Sequence, residues 1–259
     1  MFRLNRKFSI SVVTSILSSI GILHFQNNHL KYLSSQNDVD YKQQEQQLKA
    51  EAKFYQQIPS FGFSNLISDL VFLKYIQYFG DTEAREKTGY SIITEYFETI
   101  VDKDPKFIQA NLSLSASNSI FAGKPEKTVA LLETSAKSLT PDMQGYPFMI
   151  FAYKAVDEIL FLGDLQAAQK SYTKAADWAE AKGTEVSTTV AQRYRNTVKF
   201  LATDPDPTLT QVAGWSSILY NNNDPKIQRH AIQQIEELGG EVIISADGEI
   251  TVKPPQKDV

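Results

Sequence analysis

The chain has 259 residues, 42% of them hydrophobic, which is enough for one or two domains with a real core. A formal charge of −4 leaves no basic footprint for nucleic acid. The complete lack of cysteine excludes disulfides, thiolate catalysis, cysteine-ligated zinc or iron–sulfur centres, and a lipoprotein anchor.

In chain order, Arg3, Arg6 and Lys7 precede a run from Phe8 to Phe25 that no charge interrupts, with His24 taken as neutral. Its length is near the lower end for spanning a bilayer. No small-x-small cleavage site follows, because Gly21 leads into Ile22, Leu23, His24 and Phe25. Residues 1–25 therefore read as an uncleaved signal-anchor, a single transmembrane helix. It leaves the N-terminus cytoplasmic and the rest of the chain on the periplasmic or lumenal side. Five serines between Ser9 and Ser19 weaken the span, and an interfacial amphipathic helix is the alternative. Residues 26–60 read as a polar, partly helical linker. Within it, Asp38–Tyr55 is expected as a solvated helix with Leu48 and Phe54 as its apolar anchors, acting as a spacer.

Residues 61–183 read as three helix pairs. The first places Leu66, Leu70, Leu73 and Ile76 at helical spacing, turns at Gly80-Asp81, and continues through Ile92, Ile93, Tyr96, Phe97 and Ile100. The second runs from Pro105 to Pro141, with small residues over Ala110–Ala116, a turn at Gly123–Glu126 and apolar positions from Val129 to Ala136. The third runs from Tyr146 to Ala181 and breaks at Gly163-Asp164. Beyond that break, Ala168, Tyr172 and Ala175 form a small–aromatic–small stripe against which a neighbouring helix can pack closely.

This stripe and the repeated helix–turn–helix pattern resemble the tetratricopeptide repeat. The turn glycines are spaced more widely than that family's period of about 34 residues, which longer helices or turns would explain. The resemblance implies a superhelical stack that binds other proteins along a concave groove lined by the first helix of each pair. It places Lys74 and Gln77, Ser113 and Ser117, and Tyr153 and Asp157 toward that groove as candidate protein-binding residues. The segment Phe61–Leu70, continuing through Ile76–Asp81, also resembles membrane-linked helical-repeat proteins of photosynthetic bacteria, some of which assist photosystem assembly. An ordinary helical bundle is the competing fold.

Residues 184–253 hold further helices and a hairpin. Thr184–Ala202 forms one helix, with Val186, Val190, Tyr194, Val198 and Leu201 along a stripe. Thr208 and Gln211 read as a capping box. Asp224-Pro225 opens a helix whose apolar face is Ile227, Ala231, Ile232, Ile235 and Leu238, stopped at Gly239-Gly240. Glu241–Ser245 and Glu249–Lys253 flank an Asp-Gly turn and read as a β-hairpin capping the helices. Residues 254–259 are a tail.

The fold class is thus mainly α: an antiparallel helix-pair solenoid of tetratricopeptide type, an N-terminal transmembrane helix and a small C-terminal hairpin. The three histidines, His24, His29 and His230, have no metal-site spacing, and no phosphate-binding or nucleophile motif occurs. No catalytic residue, metal or cofactor is expected. Asn111-Leu112-Ser113 matches a glycosylation acceptor inside a predicted helix, a chance match. The expected partner is a membrane complex, which the chain helps to assemble. An accessory subunit of an envelope enzyme or export machine is the alternative, and a glycan-active enzyme with paired carboxylates a more distant one.

Overall fold

A computed structural model describes residues 15, 17–23, 26, 40–245 and 247–255. The expected anchor over 1–25 lies mostly outside the described residues, as do 256–259 of the tail; residues 17–23 are helical. Among the described residues no helix is long and apolar enough to cross a membrane. The chain divides into two compact units, Met1–Gln44 and Glu45–Val259, and the architecture below is that of the second.

It is built of helices in sequence: α1 (Tyr41–Gln57), α2 (Ser64–Gly80), α3 (Thr82–Thr88), α4 (Ile93–Lys103) and α5 (Ile108–Leu112), which passes into a π-helical segment at Ser115–Phe121. Then follow α6 (Pro125–Ala136), α7 (Phe148–Asp157) with a π-helical continuation at Glu158–Leu162, α8 (Leu165–Lys182), α9 (Glu185–Leu201), α10 (Thr208–Tyr220) and α11 (Pro225–Glu237). Strands β1 (Glu241–Ile244) and β2 (Ile250–Lys253) close the order as an antiparallel pair, with Ile244 opposite Ile250 and Glu241 opposite Lys253.

Local chemistry sets most of these boundaries. Asp81 and Asp164 cap α3 and α8 by accepting from the Ala84 and Ala167 amides, and Pro125 and Pro225 sit at the first positions of α6 and α11. Gly163 adopts φ 63°, the left-handed conformation that ends α7 and turns the chain into α8. The main core unites Val71, Tyr75, Phe97, Ile100, Leu114, Leu132 and Ile150, drawn from α2, α4, the α5 region, α6 and α7. A second cluster joins Phe161 to Val212, Trp215 and Ile218 of α10 and Ala231 and Ile235 of α11, with Val242, Ile250 and Val252 of the hairpin packed on it.

Four expectations are corrected. The residues Leu66, Leu70, Leu73 and Ile76 do not form the packed face of α2: they are 65%, 41%, 57% and 48% exposed, while Ser68, Val71, Tyr75 and Tyr78 are buried. This helix is apolar on two sides, and its aromatic side faces inward, where Tyr75 meets Phe97 at 4.7 Å and Phe72 meets Phe107 at 5.0 Å between ring centroids. Second, α1 is no solvated spacer. Ala52 is buried, Leu48 and Tyr55 are half-buried against the core, and Phe54, expected as an anchor, is exposed. Third, Gly80-Asp81 is not the single turn of the first pair, because α3 is inserted before α4; that insertion widens the interval between Gly80 and Gly123. Fourth, Thr208 and Gln211 make no capping box. Pro207 precedes α10 without a side-chain cap, and the Thr208 amide and hydroxyl both donate to Asp206. A full capping box instead joins Thr184 and Ser187 at the start of α9.

Candidate functional site

The six groove candidates occupy three different environments. Gln77 lies exposed on the outer side of α2, and Lys74, half-buried on the same helix, holds Glu51 of α1 at 3.0 Å. Ser113 and Tyr153 are half-buried. Ser117 and Asp157 are inside the protein at 1% exposure each, so neither faces a solvent groove. The Ser117 hydroxyl turns back to donate to the Ser113 carbonyl at 2.6 Å, satisfying itself within its own helix. The structure therefore does not gather the six on one surface.

It does gather Asp157 with other polar groups where the first π-helical segment meets the end of α7. The Ser115 hydroxyl donates to Asp157 at 2.7 Å, tying the first π segment to the end of α7. The Ser119 hydroxyl faces the same carboxyl without hydrogen-bonding geometry. Burial pushes the Asp157 carboxyl up to about 7, against the pull of the two serine hydroxyls and with a further push from Glu158. Glu158, 2% exposed, pairs with Lys154 one turn earlier at 2.8 Å. Lys154 also reaches Glu133 at 3.0 Å and the Ser171 hydroxyl at 3.2 Å. Burial works to lower the Lys154 ammonium, but its two carboxylate contacts outweigh this and hold it above its usual value. The π turns widen the helix and carry these side chains into the interior, a distortion that often marks functional positions. At 1% exposure the carboxyl of Asp157 is closed off from solvent.

Two further polar sets lock helices together. Asn111 donates to Ser135 at 2.8 Å and Asn118 to Thr128 at 3.0 Å, so two buried ties seven residues apart join the α5 region to α6. Thr94 of α4 completes the second by donating to Asn118 at 2.6 Å. Burial of Asn111 puts the glycosylation acceptor motif out of reach. Near the start of α1, Glu45 receives the Tyr78 hydroxyl at 2.9 Å, the Ser91 hydroxyl at 2.7 Å and Arg85 at 3.0 Å. The Arg85 guanidinium lies 3.5 Å over the Tyr78 ring.

No family model matches the chain, and neither a curated protein nor a solved structure matches it.

The surface offers different features. An open hollow on α8 is lined by Gln169, Lys170, Thr173, Lys174 and Asp177, and another of about 350 Å³ lies between α10 and β2, lined by Leu209, Val212, Tyr220 and Val252 among others. An apolar feature of another kind is the outer side of α2, where Leu66, Leu70, Leu73 and Ile76 are exposed and are preceded in the chain by Phe61 and Phe63, 84% and 65% exposed. Phe61 is held out at φ 45°, a conformation unusual for a bulky side chain. Sequence reasoning found the leucines by their helical spacing but not the side they take; the second apolar face of the same helix was the available signal. It missed Glu45, Arg85 and Lys154, because isolated charges in polar stretches look the same whether they end in solvent or in a buried pair.

Proposed function

We propose that this chain is a protein–protein scaffold of tetratricopeptide type, held at a membrane through residues 1–25, that assists assembly of a membrane complex. The supporting observation is the order of packing. The second helix of each pair lies against the first helix of the next: α6 against α7, and α8 against both α7 and α9. Such nearest-neighbour stacking presents an extended surface to clients and needs no reactive group of its own. The uncharged run from Phe8 to Phe25 behind Arg3, Arg6 and Lys7 supports the anchor, with the helical unit on the periplasmic or lumenal side.

The test is crosslinked capture of the tagged full-length chain from its native membranes, identified by mass spectrometry, beside a version lacking residues 1–25. Enrichment of one membrane complex that is lost with the truncation is the expected result. Recovery of no specific client from either form would remove the scaffold reading.

A further inference from the structure

The outer side of α2 carries the pattern of a two-stranded coiled-coil seam. Leu66, Leu70 and Leu73 fall at positions d, a and d of a seven-residue repeat, and all three are exposed. The positions behind them, including Val71 and Tyr75, fill the chain's own core, so the helix buries one apolar face and presents another. A helix apolar on both sides is the mark of an element with neighbours on both sides.

The flanking charges identify the neighbour. Asp69 stands at g and Lys74 at e, and in a parallel helix pair g of one strand meets e of the other five residues on. Two copies of α2 side by side in parallel therefore bring Asp69 of each toward Lys74 of the other, twice by symmetry. Antiparallel pairing would instead set Asp69 near Asp69 and Lys74 near Lys74. Asp69 is exposed and forms no ion pair among the described residues. Lys74 holds Glu51 with its side chain a third exposed, and an ammonium has donors for a second carboxylate. Gln77 takes the next a position, where one polar residue fixes register and strand number. A lipid surface fits less well, because Asp69 and Gln77 would lose hydration there and gain no partner.

We propose that a second copy of this chain docks on this face, α2 against α2, parallel and in register. The seam is short, so the contact belongs to the small class of interfaces and forms where the chain is concentrated. The pairing requires neither the membrane anchor nor a client, so its failure and that of the scaffold reading are separable.

The absence of cysteine makes the test direct. Full-length Leu70→Cys and Leu73→Cys variants are oxidised with copper phenanthroline in the membranes of expressing cells and run without reductant. Both are expected to double in mass from 29.1 kDa, because a and d residues of parallel strands meet their own counterparts. Lys199→Cys, on an exposed position of α9, is expected to remain single. Adding Asp69→Lys to Leu70→Cys should lower the crosslinked fraction by roughly fivefold or more, whereas Asp69→Glu should preserve it. Every substituted position is exposed, so folding is checked by an unchanged thermal melt. The proposal is overturned if neither seam variant doubles, if Lys199→Cys doubles equally, or if Leu70→Cys joins only a different protein. Indifference of the yield to Asp69→Lys would overturn the parallel register.

Discussion

Asp157 is carried into the core as an acid whose proton the fold retains. Its usual value of 3.8 rises to about 7 through burial, so the sign of its effect on stability is fixed. Below about pH 4 both folded and unfolded chains hold the proton. Between about pH 4 and 7 the unfolded chain releases it while the folded chain keeps it, and stability falls by roughly 4 kcal/mol as pH rises. Above that window the loss is complete and constant. Asp157→Asn keeps an acceptor for Ser115 and removes the titration. Urea unfolding across this range should show a flatter profile for the variant and greater stability than the parent at about pH 8. Two profiles of the same slope would contradict the buried acid. Lys154 carries the opposite liability, since Lys154→Met leaves Glu158 buried without its cation. The expected cost is about 3–5 kcal/mol, readable as a lower urea midpoint with unchanged slope.

Helices met their expected places where the chain itself announces an end. The Asp-Pro start of α11, the Gly163-Asp164 break and the Asp-Gly hairpin rest on residues whose φ or side-chain oxygen acts within a few positions, so each depends little on the rest of the fold. Which face of α2 turns inward is not a local property, because two apolar faces compete and the aromatic one wins only through Phe97 and Phe107 on other segments. The π segments were invisible for a different reason: at 7 and 5 residues they cover little more than one turn, too short for a changed period to show. Close approach of elements can still be tested one residue at a time. Gly214, inside α10, places its missing Cβ 2.6 Å from the Leu160 carbonyl oxygen. In an open helix Gly→Ala gains up to about 1 kcal/mol, but here the added methyl meets backbone that cannot step aside. Gly214→Ala should therefore lower the melting temperature, and a rise would mean that α10 does not sit against the π segment.

Over the whole unit, the arrangement of layers was partly readable and the positioning of the candidate site was not. The mainly helical class with a closing antiparallel hairpin followed from periodicity. The groove projected from the resemblance did not assemble, since a projection by turn position assumes a uniform α-helix and the first helices of the second and third pairs both end in π turns. The hairpin covers the α10–α11 cluster through Val242, Ile250 and Val252, each half-buried. A chain ending at Gly240 should lose about 2–3 kcal/mol of apolar burial. Its melting temperature should fall by roughly 5–10 °C. Hydrogen exchange should quicken in α10 and α11 before it does in the main core; uniform change throughout would mean that the hairpin supports the unit as a whole.

The paired asparagine ties have a mechanical meaning. Because Asn111 and Asn118 engage Ser135 and Thr128 simultaneously, a slip of one residue between the two helices would strand four buried polar groups together, at about 1–3 kcal/mol each. Sliding within that hairpin is thereby forbidden, like a bolt pinned at two points along its length. That hairpin therefore moves as a stiff strut, and Thr94 of α4 is pinned to the same point through Asn118.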